Sequence, residues 1–277
     1  MTDLKSSKRM KIHSLGRRTD FIFARFLGSV EYKGNHVLVK TPSNPDYHWG
    51  NYIIFNRAPK VGDLTEWKAL FNKEFSYYSE PHHYVFTWDT EKDDKGEFQE
   101  FLEQGFEFDP AIVLTTQTLR EPPFINKDIS IKKIESELEW NKVIKLQVLC
   151  ADEKFLNNKY EVFKRNQINQ YRRMSEAGMG NWFGAFLGNK LVGDLGIFYE
   201  NEIARFQNVE THPDFRKRGI CGTLVYGAGN IAFNEFEVET LVMEADPEYH
   251  AARIYESVGF NQTEINYALS WWQKNRD

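Results

Sequence analysis

The sequence predicts an α+β chain: a mixed, mainly antiparallel sheet flanked by helices, laid down twice in tandem. Three observations lead there. The second half alternates strand and helix periodicities in the order βα, α, βββ, α, β, α, β. Gly-Asn and Glu-Asn-Glu breaks fall between its three consecutive strand-like runs, as an antiparallel meander requires. A helix-Gly-Phe-strand segment occurs in both halves at the same offset.

The elements follow in order. In the first half, 49–55 is strand-like and leads into Asn56-Arg-Ala-Pro-Lys-Val-Gly62. Residues 70–75 end a helix, 84–89 form a strand, and the charged run 89–97 is a surface loop. A β-type run at 111–116 precedes Pro122-Pro123, which suits neither a helix interior nor a central strand. The domain boundary is placed there, giving 1–123 and 124–277. In the second half, 129–134 is a short strand. Ser136 with Glu139 three residues later is a capping box, and Trp140, Val143, Ile144 and Val148 share one face of the helix behind it. A second helix covers 153–177, with Leu156, Tyr160, Phe163, Tyr171 and Met174 at helical spacing, and Gly178 and Gly180 stop it. Strands follow at 181–187, 190–199 and 203–210. Leu224, Ala228, Ile231 and Ala232 mark a helix, 240–246 a strand, 250–258 a helix closed by Gly259, and 265–272 a last strand.

Composition excludes several function classes. The 277 residues carry a net charge of −5 and 41% hydrophobic residues, so neither a disordered chain nor a nucleic-acid binder is expected. The Lys5, Lys8, Arg9, Lys11 cluster is a solvated tail. No apolar run approaches the ~20 residues of a membrane-spanning helix, and no secretory leader is legible at the start. Cys150 and Cys221 do not make a disulfide framework, which points to a reducing, cytoplasmic setting. His82 and His83 are adjacent, but no further His, Cys or Asp falls at ligand spacing, so no metal site is expected.

Chemistry concentrates in His212-Pro-Asp-Phe-Arg-Lys-Arg-Gly-Ile-Cys-Gly222, between a strand and a helix. Helix N-terminal N–H groups, glycines that let an anion approach, and nearby cations together make an anion site suited to a diphosphate. Neither a Walker loop nor a dinucleotide fingerprint is present. Arg216-Lys-Arg-Gly-Ile-Cys221 resembles motif A of the GNAT acetyltransferase superfamily, Gln/Arg-x-x-Gly-x-Gly/Ala, with Cys221 at the usual Gly/Ala position. Ala251-Ala-Arg-Ile-Tyr-Glu-Ser-Val-Gly-Phe260 is similar to a second segment of that family, and the resemblance spans roughly 129–272.

What the resemblance implies is acyl transfer from acetyl-CoA to a primary amine, small-molecule or peptide, within a ternary complex. Val209, Glu210, Thr211, Arg216, Lys217, Arg218, Gly219, Ile220, Cys221, Gly222 and Thr223 would hold the CoA arm. Tyr255 stands at the family's acid position. For the base, Glu210, His212, Glu244, Asp246 and water remain open; Glu210 and His212 lie at the strand end beside the cofactor loop, and Glu210 is named with Tyr255 as catalytic. A monomer or homodimer, with no membrane or nucleic-acid partner, is expected. The alternatives are a CoA-binding sensor or scaffold without turnover, and transfer of another acyl group.

The first half echoes the second. Phe101, Gly105 and Phe106 each lie 154 positions before Tyr255, Gly259 and Phe260. The copy has Arg57-Ala-Pro-Lys-Val-Gly62 where the second half has its basic loop, and Phe101 where Tyr255 stands, so no second cofactor site is expected. Its expected role is to pack against the active copy and share in the acceptor groove.

Overall fold

A computed structural model describes residues 9–45, 47–76, 82–151, 158–248 and 251–273. Lys5 and Lys8 of the basic tail, the start of the second helix with Leu156, and His250 lie outside them. The chain divides into two compact units, 1–112 with 264–277, and 113–263. Among the described residues, no helix is long and apolar enough to cross a membrane.

The first unit opens on α1 (Leu15–Leu27), whose N-cap Ser14 accepts from the Arg17 N–H. Strands β1 (Ser29–Lys33), β2 (His36–Lys40), β3 (Tyr52–Phe55) and β4 (His83–Trp88) follow, with α2 (Asp63–Glu74) between β3 and β4. β1, β2 and β3 are antiparallel neighbours, and β3 runs parallel to β4. After α3 (Gln99–Glu103), β5 (Glu107–Thr116) crosses the division between units. Residues 267–272 of the last strand, β11 (Asn261–Trp272), pair antiparallel with β4. The sequence reading assigned nothing to 15–40, where α1, β1 and β2 lie, and ran β3 back to Trp49, where a 3₁₀ turn stands instead. This unit's core is aromatic: Trp67 stacks on Phe55 at 3.8 Å, and Phe71, Phe86 and Phe101 are fully buried.

The second unit follows the sequence reading closely. β6 (Ser130–Lys133) leads to α4 (Glu137–Leu149), whose capping box Ser136–Glu139 is fully formed. Then come α5 (Asn158–Glu176), β7 (Gly180–Leu187), β8 (Lys190–Glu200), β9 (Ile203–Thr211), α6 (Ile220–Glu235), β10 (Thr240–Ala245) and α7 (Ala251–Ser257). The sheet order is β10-β9-β8-β7-β6, antiparallel except for the parallel β9–β10 pair. Gly227 and Gly229 sit inside α6 at a helix cost of ~1 kcal/mol each. Close approach explains them: a Cβ would meet Ile131 at 2.5 Å and Leu119 at 2.6 Å respectively.

The two units share one element order. β1-β2-β3-α2-β4-α3 matches β7-β8-β9-α6-β10-α7 in sequence, strand direction and neighbours. The echo reaches hydrogen bonds: Phe106 N–H donates to Phe101 C=O at 3.0 Å, and Phe260 N–H to Tyr255 C=O at 3.2 Å. Both are the 6→1 closure of a helix ended by a left-handed glycine.

Candidate active site

The site grows from a defect in the β8–β9 ladder. Asp194 pairs with Glu210 and Gly196 with Gln207, so β9 carries one residue more than β8 across that interval. This is a β-bulge. Asn208 absorbs it with φ 47°, a conformation its short amide tolerates. The Gln147 amide clamps the bulge by donating to Asn208 C=O at 3.0 Å and to Asp194 Oδ1 at 2.6 Å. Trp182 Nε1 also donates to Asp194 Oδ1, at 3.1 Å. Asp194 is fully buried, and burial holds its carboxyl well above the usual range.

The bulge coincides with a parting of strands. β10 pairs with β9 only from Ile203 to Arg205. From Phe206 to Thr211, β9 is described with a partner on its β8 side only. Strand backbone groups that lack a ladder partner must find another acceptor or donor.

A cleft of about 680 Å³ opens at this end of β9. One wall is Val209, Glu210 and Thr211; the floor is Gly219, Ile220, Cys221 and Gly222, at the N-terminus of α6. Gly219 is the N-cap with φ 72°, and Lys217 is also left-handed at φ 61°. Arg216 and Lys217 bring two cations to the lining, and Tyr255 of α7 joins it. Nine of the eleven residues expected to hold a CoA arm therefore line one cavity.

Arg218 and Thr223 do not line it. The Arg218 guanidinium lies over the Phe215 ring at 5.0 Å, and its C=O accepts from Asn126 Nδ2. The Thr223 hydroxyl donates to Gly219 C=O at 2.8 Å and accepts from the Asn126 N–H. Both residues brace the loop.

The four side chains weighed as a base separate clearly. Glu244 is engaged by Arg205 Nη2 at 2.8 Å. Asp246 is exposed and accepts the Glu248 N–H. His212 Nδ1 accepts the Asp214 N–H, capping the 3₁₀ turn Pro213–Phe215. Of the four, only Glu210 lines the cleft. Burial pushes its carboxyl above the ordinary carboxylate range, against the opposing pull of the Lys164 and Arg216 charges.

Sequence reasoning missed two contributors to this site and one residue outside it. Lys164 on α5 is enclosed enough that burial lowers it from the usual ammonium range, while Glu210 and Asp194 pull it back. Its helical spacing gave no hint, because a lysine on an amphipathic helix reads as solvated. Pro122, Pro123 and Phe124 line the cleft although the Pro-Pro pair was read only as a break. His48 was also overlooked. It lies 34 positions before His82, yet offers a ring nitrogen within 4.8 Å of those of His82 and His83, a neighbour that spacing along the chain did not disclose. The strand pairing of β3 with β4 brings them together, and spacing along the chain cannot reveal that. Neither cysteine is a candidate nucleophile: burial pushes both thiols up to about 12.

Residues 140–260 match the family model described as Acetyltransferase (GNAT) family, and the second unit is accordingly a GNAT-family domain. Solved structures share the fold across most of the chain. A functionally unknown conserved protein from Staphylococcus epidermidis aligns with a TM-score of 0.70 at 14% identity, covering 87% of this chain and 92% of its own. A GCN5-related N-acetyltransferase from Kribbella flavida aligns at 0.61 and 12% identity, covering 93% and 96%. A tandem GNAT protein from the clavulanic acid biosynthesis pathway aligns at 0.53 and 11% identity, covering 87% and 83%. No curated protein matches the sequence significantly.

Proposed function

We propose that this protein is an N-acetyltransferase that moves the acetyl group of acetyl-CoA to a primary amine, with one active site per chain, in the second unit. The carrying observation is the open N-terminus of α6. It faces a cleft with Arg216 and Lys217 in the lining, beside a strand edge that β10 has left. The helix dipole, orphan N–H groups and two cations suit a diphosphate, and the β9 edge offers amide partners to an extended pantetheine arm. Acetyl-CoA supplies an activated acyl group as a thioester. Glu210 accepts a proton from the acceptor ammonium, freeing the amine to attack. A backbone N–H donates to the developing oxyanion; as the C–N bond forms and the C–S bond breaks, the Tyr255 hydroxyl protonates the departing sulfur, and the proton released by the new amide nitrogen restores the hydroxyl. Free thiols at Cys150 and Cys221 fit a cytoplasmic setting.

The first unit serves as a degenerate copy. Its α2 also starts on a left-handed glycine, Gly62 with φ 95°, but acidic side chains of the same unit occupy that helix end. Asp63 accepts a two-pronged contact from Arg57 and the Lys60 N–H at 2.7 Å. Glu100 Oε1 accepts from the N–H groups of Gly62 and Leu64, at 3.1 and 2.9 Å. Built-in carboxylates thus stand where the second unit offers room for phosphates. Calorimetry with CoA should give one site per chain, and thiol release from acetyl-CoA over a panel of amines should find turnover. Two equivalent sites would refute the degenerate copy; binding without turnover on any amine would leave a CoA-binding module.

Tyr255→Phe should lower kcat by about 10²-fold, the lower end for general acid catalysis, because a CoA thiolate is already a fair leaving group. The ring is 6% exposed and stays in place, so CoA affinity should change less than twofold. Unchanged kcat with weaker CoA binding would make Tyr255 a packing residue and leave protonation to water.

A further inference from the structure

We propose that His48, His82 and His83 form a binding site for one divalent transition-metal ion of the zinc, cobalt or nickel class, in the first unit. It stands apart from the acyl-transfer reading, since every residue it uses belongs to the other unit. The fold assembles the three rings from two places in the chain. His48 opens the 3₁₀ turn just ahead of β3, and His83 opens β4 with His82 before it. Because β3 and β4 run parallel, their starts lie at the same end of the sheet. The ring centroids of His48 and His83 are 4.6 Å apart, those of His82 and His83 5.1 Å, and those of His48 and His82 6.0 Å.

One ring nitrogen from each residue falls within 4.8 Å of the other two. Zinc–nitrogen bonds of ~2.0–2.1 Å in tetrahedral geometry put ligand nitrogens roughly 3.4 Å apart. Closing the set therefore takes an inward movement of about 0.8 Å per nitrogen, together with a turn of the His48 ring, which stacks on His83 at an interplanar angle of 20° and must bring its in-plane lone pair to the same point. Side-chain rotation of His48 and His82 can supply it, as both are half-buried while His83 is fully buried and serves as the anchor.

His83 is prepared as a ligand. Its Nε2 lies 3.1 Å from Asn51 C=O, and a carbonyl can only accept, so the proton sits on Nε2. The lone pair is then on Nδ1. Metal-bound histidines characteristically donate their other N–H to a carbonyl or carboxylate, which fixes the tautomer and the ring plane. Three imidazoles select zinc-class ions. Calcium and magnesium need oxygen donors, which this set does not supply. A tetrahedral ion would keep a fourth position for water or an exogenous ligand.

The test is metal titration of the full chain after chelator treatment, with Co²⁺ followed by its visible absorption and Zn²⁺ as competitor. One equivalent should bind, with the absorption of a tetrahedral nitrogen site. His48→Asn should weaken Co²⁺ binding by about 100-fold, the upper end of what even an indirect partner contributes. His82→Asn should do the same, and His13→Asn should change nothing. Circular dichroism identifies which variants keep the fold, and either His48→Asn or His82→Asn is sufficient for the decision. Absence of saturable binding would overturn the site. So would full affinity in a folded His48→Asn or His82→Asn variant, which would place the metal elsewhere, for example on Cys150 or Cys221.

Discussion

Gly219→Asp should abolish measurable CoA binding, with an expected loss of about 10³-fold or more. Two independent effects combine. Gly219 is left-handed, a conformation costing ~1–3 kcal/mol for an ordinary side chain. Its Cβ would also lie 2.3 Å from Phe124 Cδ1 and 3.0 Å from Phe124 C=O, so the loop must move. The larger effect is charge. A carboxylate about 4 Å from a diphosphate oxygen costs ~4 kcal/mol at an effective dielectric of 20, which is roughly 10³-fold in affinity. The first unit illustrates the outcome: at the start of α2, Asp63 captures Arg57 and a loop N–H. An Asp at 219 would compete for Arg216, Lys217 and the α6 amides in the same way. Gly219→Asn separates the effects, being the same size, uncharged and tolerant of left-handed backbone. Its affinity should fall by about tenfold, equivalent to ~1.4 kcal/mol. Calorimetry reads both variants, and thermal melting checks that each is folded. Equal losses for Asp and Asn would show that sterics dominate and that no anion sits at this helix end.

The second unit was legible because its signals are local. The Ser136–Glu139 box, the Gly188-Asn189 turn and the glycine stop at 259 each depend on residues a few positions apart, and all three form as read. The basic loop was legible for the same reason: strand, cations, glycine and helix are contiguous. What escaped depends on residues far apart in the chain. The bulge at Asn208 rests on Gln147, 61 positions away, and it lies two residues before Glu210 of the cleft lining. No periodicity marks a bulge whose clamp lies on another element. Four acidic or imidazole side chains looked equivalent in the sequence, and only their partners tell them apart: Arg205 for Glu244, a turn N–H for Asp246, a 3₁₀ cap for His212. In the first unit, the helix-Gly-Phe echo pointed to a second copy of the element order. The carboxylates at its phosphate position come from Asp63 and from Glu100 on α3, and the latter joins only in three dimensions.

Glu210→Gln should lower kcat by about 10²–10³-fold, within the range for losing a general base, with CoA affinity nearly unchanged. The amide keeps the side chain's size, so the wall of the cleft and the β8–β9 pairing at Asp194 should persist. What disappears is a proton acceptor. An acceptor ammonium has a pKa near 10, so at neutral pH nearly all of it must lose a proton before the nitrogen can attack. A carboxylate at its ordinary pKa is a feeble acceptor for that proton. Burial raises Glu210 above that range, which brings its basicity nearer the operating pH, while the Lys164 and Arg216 charges oppose the rise. The direction of the pH dependence follows. Only the deprotonated form works, so kcat/KM must fall as pH drops through this raised pKa, and the fall should start above the usual carboxylate range. In Glu210→Gln that acid limb should vanish, leaving only the limb set by the acceptor's own ammonium. Lys164→Met provides the companion measurement. Removing a cation that holds the carboxyl down should move the wild-type limb to higher pH without erasing it. The profiles need one amine acceptor and saturating acetyl-CoA. A Glu210→Gln enzyme within twofold of wild type at every pH would assign the proton to a water chain, and β9 would then contribute its backbone edge alone.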